Sequence, residues 1–220
     1  MWDSLFNLRD YTGTEHALFA IGCLMWVFVY FIVIHNFRKK DFVEIPMIAI
    51  CANFAWEFLW SWVYMTDMGS LYVWGYRIWF FLDCFILYAI FRYGYKQLMS
   101  MPKASHPYLL IGGLTASFFI LYFYIGRYDY PLSHMGAYSG YVLNVLMSAL
   151  YISLFLRMKN PGIFSLPAAW LKGIGTLLIS FFCILHFNDW FLISMCIVTA
   201  ALDAAYISIF YNYKNETRAE

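Results

Sequence analysis

Residues 16–36 of this chain read HALFAIGCLMWVFVYFIVIHN, a run that contains no Asp, Glu, Lys or Arg. A helix of about 20 apolar residues crosses a bilayer core, so the run predicts a membrane span rather than a cleaved signal peptide. Further apolar stretches complete a set of seven predicted spans at 16–36, 43–65, 72–92, 107–126, 136–157, 168–186 and 190–212. We therefore predict an all-α integral membrane protein, a seven-transmembrane-helix bundle with residues 1–220 as a single transmembrane domain.

The composition agrees with this fold class. Of the 220 residues, 63% are hydrophobic and only 12% are charged, whereas a soluble domain carries about 25% charged residues. The net charge of +1 gives no electrostatic basis for binding nucleic acid. The five cysteines form no C-x-x-C pair, so neither a metal site nor a disulfide framework is predicted from them.

The basic residues predict an orientation. If the seven spans alternate in direction, most of the Lys and Arg residues fall on one side of the membrane, namely Arg38, Lys39, Lys40, Arg92, Lys96, Lys103, Arg157, Lys159, Lys172, Lys214 and Arg218. The positive-inside rule then places the N-terminus outside or lumenal and the C-terminus in the cytoplasm. Compact loops favour a bacterial inner membrane, with the endoplasmic reticulum as the location if the chain is eukaryotic.

Three acids lie well inside predicted spans, away from the span ends: Glu57, Asp83 and Asp203. An acid at the bilayer centre costs about 2.5–3.5 kcal/mol, so each is a candidate functional residue. The alternative is pairing with a base, and Arg77 could neutralise Glu57 or Asp83 in a purely structural role. A carboxylic acid kept protonated in a dry pocket can donate a proton, so Glu57 and Asp203 are candidate catalytic acids, which could stand at different heights of one pocket.

Polar and aromatic residues follow helical spacing on four predicted helices, which places them on faces that point into the bundle. The predicted substrate-binding residues are Asn53, Trp56, Trp60, Tyr64, Arg77, Trp79, Asp83, Tyr141, Asn144 and Tyr206. Asn53 lies one turn from Glu57 and could orient its carboxyl group. The aromatic rings could stabilise a cation, although packing and lipid contact are their commoner uses. Asn53 and Asn144 could equally form interhelical hydrogen bonds.

Several chemistries are not predicted. With Lys172 at a helix end, no lysine is expected within a span, which argues against a retinal Schiff base. The chain has no aspartate-rich cluster of the kind that binds Mg²⁺-diphosphate, and its five histidines are scattered singly. No metal or other cofactor is therefore predicted.

Two motifs carry a family resemblance. The motifs are Asn53-x-x-Trp56-Glu57 on the second span and Asp203-x-x-Tyr206 on the seventh. With these motifs, its length and its number of helices, the chain resembles the small seven-helix integral-membrane terpene cyclases of fungal meroterpenoid and indole-diterpene pathways, which also have bacterial relatives. In that family the helix-two glutamate and the helix-seven aspartate are the acids considered essential, and Glu57 and Asp203 match those places.

The resemblance implies a function. An acid protonates the epoxide or terminal alkene of a prenylated, lipid-like substrate, and rings close through carbocations without a metal or redox cofactor. The prediction is thus a metal-independent terpene cyclase of isomerase or lyase type, acting on a lipophilic prenylated small molecule in the bilayer. The alternatives are a small proton-coupled transporter, because intramembrane acids also build proton relays, and a structural subunit of a membrane complex. Substrate identity and oligomeric state are left open.

Overall fold

A computed structural model describes residues 4–99 and 101–219 of the chain, with side chains described as far as residue 215. Within this part of the chain all regular secondary structure is helical. Seven long helices are present: α1 (Gly13–Lys40), α2 (Met47–Trp62), α3 (Ser70–Tyr93), α4 (His106–Tyr124), α5 (Ala137–Met158), α6 (Leu166–Phe187) and α7 (Trp190–Ala219). The prediction of an all-α, seven-helix protein is therefore confirmed.

Local sequence signals mark the helix ends. Thr12 and Glu15 form a capping box at the start of α1, in which each side chain binds the backbone of the other residue. Ser165 caps α6 by accepting a hydrogen bond from the Ala168 N–H. Pro46, which cannot continue a helix from the preceding residues, stands immediately before α2.

The predicted count of seven membrane spans is only partly confirmed. In the described part of the chain six helical segments are long and apolar enough to cross a membrane: Gly13–Lys40, Ser70–Gln97, Lys103–Ser133, Ala137–Met158, Leu166–Phe187 and Trp190–Asn215. The exception is α2, which has 16 residues instead of the predicted 43–65. At 1.5 Å per residue it is about 24 Å long, shorter than a bilayer core.

The position of α2 in the bundle explains why its length is tolerated. It packs against α3, α4 and α5, and most of its residues are buried. A helix surrounded by longer helices has its polar ends covered by protein, so its length need not match the bilayer.

The helices α1 and α6 approach each other closely through two glycines. A Cβ atom added to Gly22 would lie 2.8 Å from the Gly175 carbonyl oxygen, and one added to Gly175 would lie 3.0 Å from the Gly22 carbonyl oxygen. Small residues at such crossings let helix backbones pack against each other within a membrane. This contact holds α1 beside α6 at the level of the cavity described below.

The segment between α4 and α5 positions one wall of that cavity. Residues Ile125–Asp129 form a wider, π-helical turn, and Tyr130–Ser133 add one more helical turn. The buried Asp129 carboxylate accepts hydrogen bonds from the Ser133 hydroxyl and from the Ser139 N–H, the latter at 2.7 Å. Ser133 in turn accepts from the N–H groups of Gly136 and Ala137. These side chains satisfy the free N–H groups that begin α5.

Candidate functional site

A cavity lies between the helices, with walls from α1, α2, α3, α5 and α6. Six of the predicted site residues line it: Asn53, Trp56, Glu57, Trp79, Tyr141 and Asn144. Four further aromatic residues, which are not among the predicted site residues, complete the walls: Phe19, Trp26, Tyr30 and Tyr76. Among the described lining residues, Glu57 is the only Asp, Glu, Lys or Arg. The cavity is therefore an aromatic chamber that contains a single carboxyl group.

Glu57 is held by two neighbours. The Tyr30 hydroxyl donates to Glu57 Oε1 at 2.6 Å, and the Asn53 amide donates to the same oxygen at 2.8 Å. Glu57 is only 2% exposed. Its other oxygen, Oε2, has no hydrogen-bond partner among the described residues. The prediction that Asn53 orients Glu57 is thus matched by the geometry, and Tyr30 performs the same role from α1.

The second acid of this site is Asp83, which is fully buried. The Asn53 amide nitrogen lies 2.9 Å from Asp83 Oδ2 as well as 2.8 Å from Glu57 Oε1. One amide therefore bridges two carboxyl groups. Two carboxylates this close in a medium of low dielectric constant repel each other strongly, so one proton shared by the pair stabilises the arrangement. Asp83 does not line the cavity.

Hydrogen bonds fix several rings of the cavity wall. The Trp56 indole donates to the Ser139 hydroxyl at 2.7 Å, and the Tyr76 hydroxyl donates to the Met135 carbonyl at 2.7 Å. Gly136 has a φ of +86°, and a Cβ atom there would lie 2.7 Å from the Trp56 ring. A glycine at this position satisfies both the left-handed backbone and the close approach of the indole.

Five of the ten predicted substrate-binding residues do not line the cavity: Trp60, Tyr64, Arg77, Asp83 and Tyr206. Arg77 contacts neither acid: its guanidinium packs over the rings of Trp62 and Trp74, at 4.7 and 4.8 Å, so the predicted pairing with Glu57 or Asp83 is not formed. Tyr64 donates to the Tyr122 carbonyl on α4. Trp60 is fully buried beneath Trp56.

Asp203 belongs to a second polar cluster, separate from Glu57. Lys172 Nζ lies 2.5 Å from Asp203 Oδ1, and the Ser148 hydroxyl donates to the same oxygen at 2.7 Å. Lys172 is 3% exposed within α6, so the expectation that it sits at a helix end is wrong, and the argument against a buried lysine loses its premise. The shared pocket predicted for Glu57 and Asp203 is not formed. The motif partner Tyr206 packs against Tyr151 and Phe155.

The two polar clusters are nevertheless close in the fold. The Lys172 ammonium lies 5.8 Å from the ring centroid of Trp26, which lines the cavity. Ser148 lies one turn along α5 from the cavity residue Asn144. The ion pair therefore lies behind the cavity wall, close to Trp26.

Sequence spacing contained a signal for the missed α1 residues. Phe19, Trp26 and Tyr30 are separated by seven and four positions, which places them on one helix face. Because no charged residue interrupts that stretch, the face did not stand out from a lipid-exposed one. Asp129 and Glu44 were also missed as buried acids, because Asp129 lies in a predicted connection and Glu44 at the very start of the predicted span 43–65.

Glu44 lies between α1 and α2 and is 3% exposed. Its Oε2 accepts from the Ser165 N–H at 2.6 Å, which links this loop to the start of α6. Burial raises the pKa of Glu44 to about 7, against the opposing effects of the Ser165 hydrogen bond and the nearby Lys40.

The family assignment follows from comparison with known proteins. A family model described as Pyr4-like transmembrane terpene cyclases matches residues 7–216. The chain belongs to this family. The assignment confirms the resemblance, supports an enzyme and favours the cyclase prediction over the transporter alternative. It also agrees with a lipophilic terpenoid substrate and a multi-pass membrane protein.

Named relatives are fungal. The chain is 21% identical over 168 residues to the Pyr4-family terpene cyclase mfmH of Annulohypoxylon moriforme, covering 76% of this chain and 68% of that protein. It is 29% identical over 109 residues to the terpene cyclase ausL of Emericella nidulans, covering 47% of this chain and 52% of that protein. A third, ausL of Aspergillus calidoustus, is 30% identical over 90 residues, covering 40% of this chain and 35% of that protein. No solved structure matches the chain.

Proposed function

We propose that this chain, as one cyclase domain over residues 1–220, closes rings on a prenylated or epoxy-prenylated lipophilic substrate in a reaction that Glu57 starts by donating a proton. The observation that supports this most directly is the placement of Glu57. It is the carboxyl group that lines an aromatic cavity, one of its oxygens holds two hydrogen bonds, and the other has no partner among the described residues.

The proposed chemistry balances as an isomerisation. Glu57 transfers its carboxyl proton to the epoxide oxygen, or to a carbon of the terminal alkene. The C–O or C=C bond opens, a neighbouring alkene attacks, and a ring closes to a carbocation. A base then takes a proton from the cyclised cation, and a proton returns to the Glu57–Asp83 pair to complete the cycle. No atom is gained or lost by the substrate.

The neighbours of Glu57 support proton donation. After transfer, the hydrogen bonds from Tyr30 and Asn53 to Oε1 stabilise the carboxylate, since bonds to a charged acceptor are about twice as strong as neutral ones. Asp83, bridged to Glu57 through Asn53, would act as a positioning residue that keeps one proton on the pair. Rings such as Trp56, Trp79 and Tyr76 would present their faces to the cation, at about 0.5–2 kcal/mol each.

Asp203 has a different proposed role. Its contacts with Lys172 and Ser148 support a structural function for this acid, which holds α7 against α5 and α6 behind the cavity wall. A requirement for Asp203, which the family resemblance implies, would then arise through the ion pair and not through a proton given to the substrate.

Product analysis by mass spectrometry tests the proposal. Membranes containing the chain are incubated with a panel of prenylated and epoxy-prenylated phenols, and a product of unchanged mass but shifted retention is expected. Glu57→Gln should fold normally and lower the rate by about 10²–10⁴-fold, the range for loss of a general acid. Full activity in this variant would refute Glu57 as the donor.

Asp83→Asn provides the matched test of the pair. It should leave measurable turnover and displace the pH profile of the rate, because the second carboxyl group no longer shares a proton with Glu57. A lower rate with an unchanged pH profile would instead indicate that Asp83 only packs against its neighbours.

A further inference from the structure

The hydrogen-bonding groups of the cavity differ in whether the protein already uses them. The side chains of Asn53, Tyr30, Tyr76 and Tyr141 line the cavity, and each makes hydrogen bonds within the protein. Asn144 also lines the cavity, yet its amide has no hydrogen bond to any described residue. Among the amides and hydroxyls of the described lining, this amide is the free one.

The polar residues one turn before and one turn after Asn144 on α5 are both hydrogen-bonded to other helices, unlike Asn144 itself. Tyr141 lies one turn before it and bonds to the Ser180 hydroxyl at 2.8 Å and to the Thr176 carbonyl at 3.1 Å. Ser148 lies one turn after it and bonds to Asp203 and Lys172. Tyr141 is thus bonded to α6, and Ser148 to both α6 and α7, whereas Asn144 between them faces the cavity without a partner among the described residues. Interhelical bonding, the alternative for Asn144, is not its use in this structure.

An amide in an apolar cavity is costly unless it finds a partner. Asn144 is partly buried, and a substrate that supplies a hydrogen bond removes the cost of leaving its amide unpaired in largely apolar surroundings. A primary amide offers two donors and one carbonyl acceptor, which complement a hydroxyl or carbonyl oxygen. The rest of the described lining is aromatic and aliphatic apart from Glu57, its hydrogen-bonded neighbours and the Cys183 thiol.

We propose that Asn144 binds a neutral hydroxyl or carbonyl oxygen on the head group of the substrate and thereby selects oxygenated prenyl compounds over plain prenyl hydrocarbons. Glu57 on α2 acts at the reacting end of the prenyl chain, and Asn144 on α5 anchors the head. This inference rests on the proposed function for the reacting end, but it can be tested without any reaction.

Binding of two unreactive probes tests the anchor directly. Hexahydrofarnesylphenol and hexahydrofarnesylbenzene have the same saturated chain and differ only in the hydroxyl, so neither can cyclise. The purified full chain in nanodiscs should bind the phenol about tenfold more tightly, the scale of one neutral hydrogen bond to an otherwise unpaired group. Asn144→Leu should weaken phenol binding about tenfold and leave benzene binding unchanged, which removes the preference.

Controls separate the anchor from cavity shape. Leu143→Val changes the adjacent lining residue without touching the amide, so the phenol preference should persist. If Asn144→Leu lowers the melting temperature, Asn144→Ala replaces it in the same comparison. Equal binding of both probes by the wild-type chain would overturn the inference. So would an equal loss for both probes in Asn144→Leu.

Turnover separates this inference from the proposed function. With an epoxyfarnesyl phenol, Asn144→Leu should raise KM about tenfold with a smaller change in kcat, whereas Glu57→Gln should lower kcat. If no epoxide is cyclised but the phenol preference depends on Asn144, the proposed cyclisation fails while the head-group site stands.

Discussion

Replacing the buried Glu44 with glutamine should remove a pH dependence of stability. Burial raises the pKa of this carboxyl from 4.5 to about 7, and each tenfold change in acidity corresponds to about 1.4 kcal/mol. The folded chain therefore holds the Glu44 proton more tightly than the unfolded chain, by about 3 kcal/mol. This contribution is complete below about pH 4.5 and is lost as the pH rises through about 7. Glutamine keeps an oxygen that can accept from the Ser165 N–H and does not titrate.

The assay is reversible unfolding by SDS of the purified chain in detergent, at pH 5 and at pH 8. The free energy of unfolding of the wild type should fall by about 2–3 kcal/mol more than that of Glu44→Gln over this interval. Asp41→Asn is the matched control, because Asp41 is an exposed acid in the same connection and asparagine tolerates its left-handed backbone. Parallel pH dependence in wild type and Glu44→Gln would refute the reasoning.

Two further predictions concern the packing behind the cavity. Lys172→Met and Asp203→Leu should each lower the free energy of unfolding by about 3–5 kcal/mol, because either leaves an unpaired buried charge. The double variant should recover most of that loss in the same SDS assay. A double variant less stable than both single variants would contradict the prediction. Gly22→Leu should push α1 away from α6 and lower the free energy of unfolding by about 1–3 kcal/mol through overpacking. Gly112 has open space around it, so Gly112→Ala should leave stability unchanged or raise it slightly. Equal effects of the two substitutions would show that the close crossing of α1 and α6 is unimportant.

Much of the fold could be predicted because it depends on local sequence. The seven helices follow from seven apolar runs, since hydrophobic length and turn residues are properties of each segment alone. The predicted length was wrong for α2, which begins at Met47 and ends at Trp62 because the residues on either side form connections. No local signal distinguishes a short helix surrounded by others from a full span.

Part of the candidate site could also be predicted, because some of its contacts depend only on spacing within one helix. Asn53 and Glu57 are one turn apart on a single helix, so their contact follows from helical spacing. Trp56, Trp79, Tyr141 and Asn144 were placed in the cavity because their helix faces are polar or aromatic. Tyr30 could not be assigned, because its partner Glu57 lies on another helix and the order of helices around the bundle is not encoded in spacing.

By itself, the sequence determined that this protein is a helical membrane protein with acids inside its helices, because apolar runs and buried charges can be read one segment at a time. The motifs on α2 and α7 also indicated its family. Only the tertiary structure decided how the acids are paired: Glu57 is bridged to Asp83 through Asn53, while Asp203 is neutralised by Lys172. The physical reason is that charge pairing in a membrane depends on which helices are neighbours, and those contacts join residues far apart in the chain.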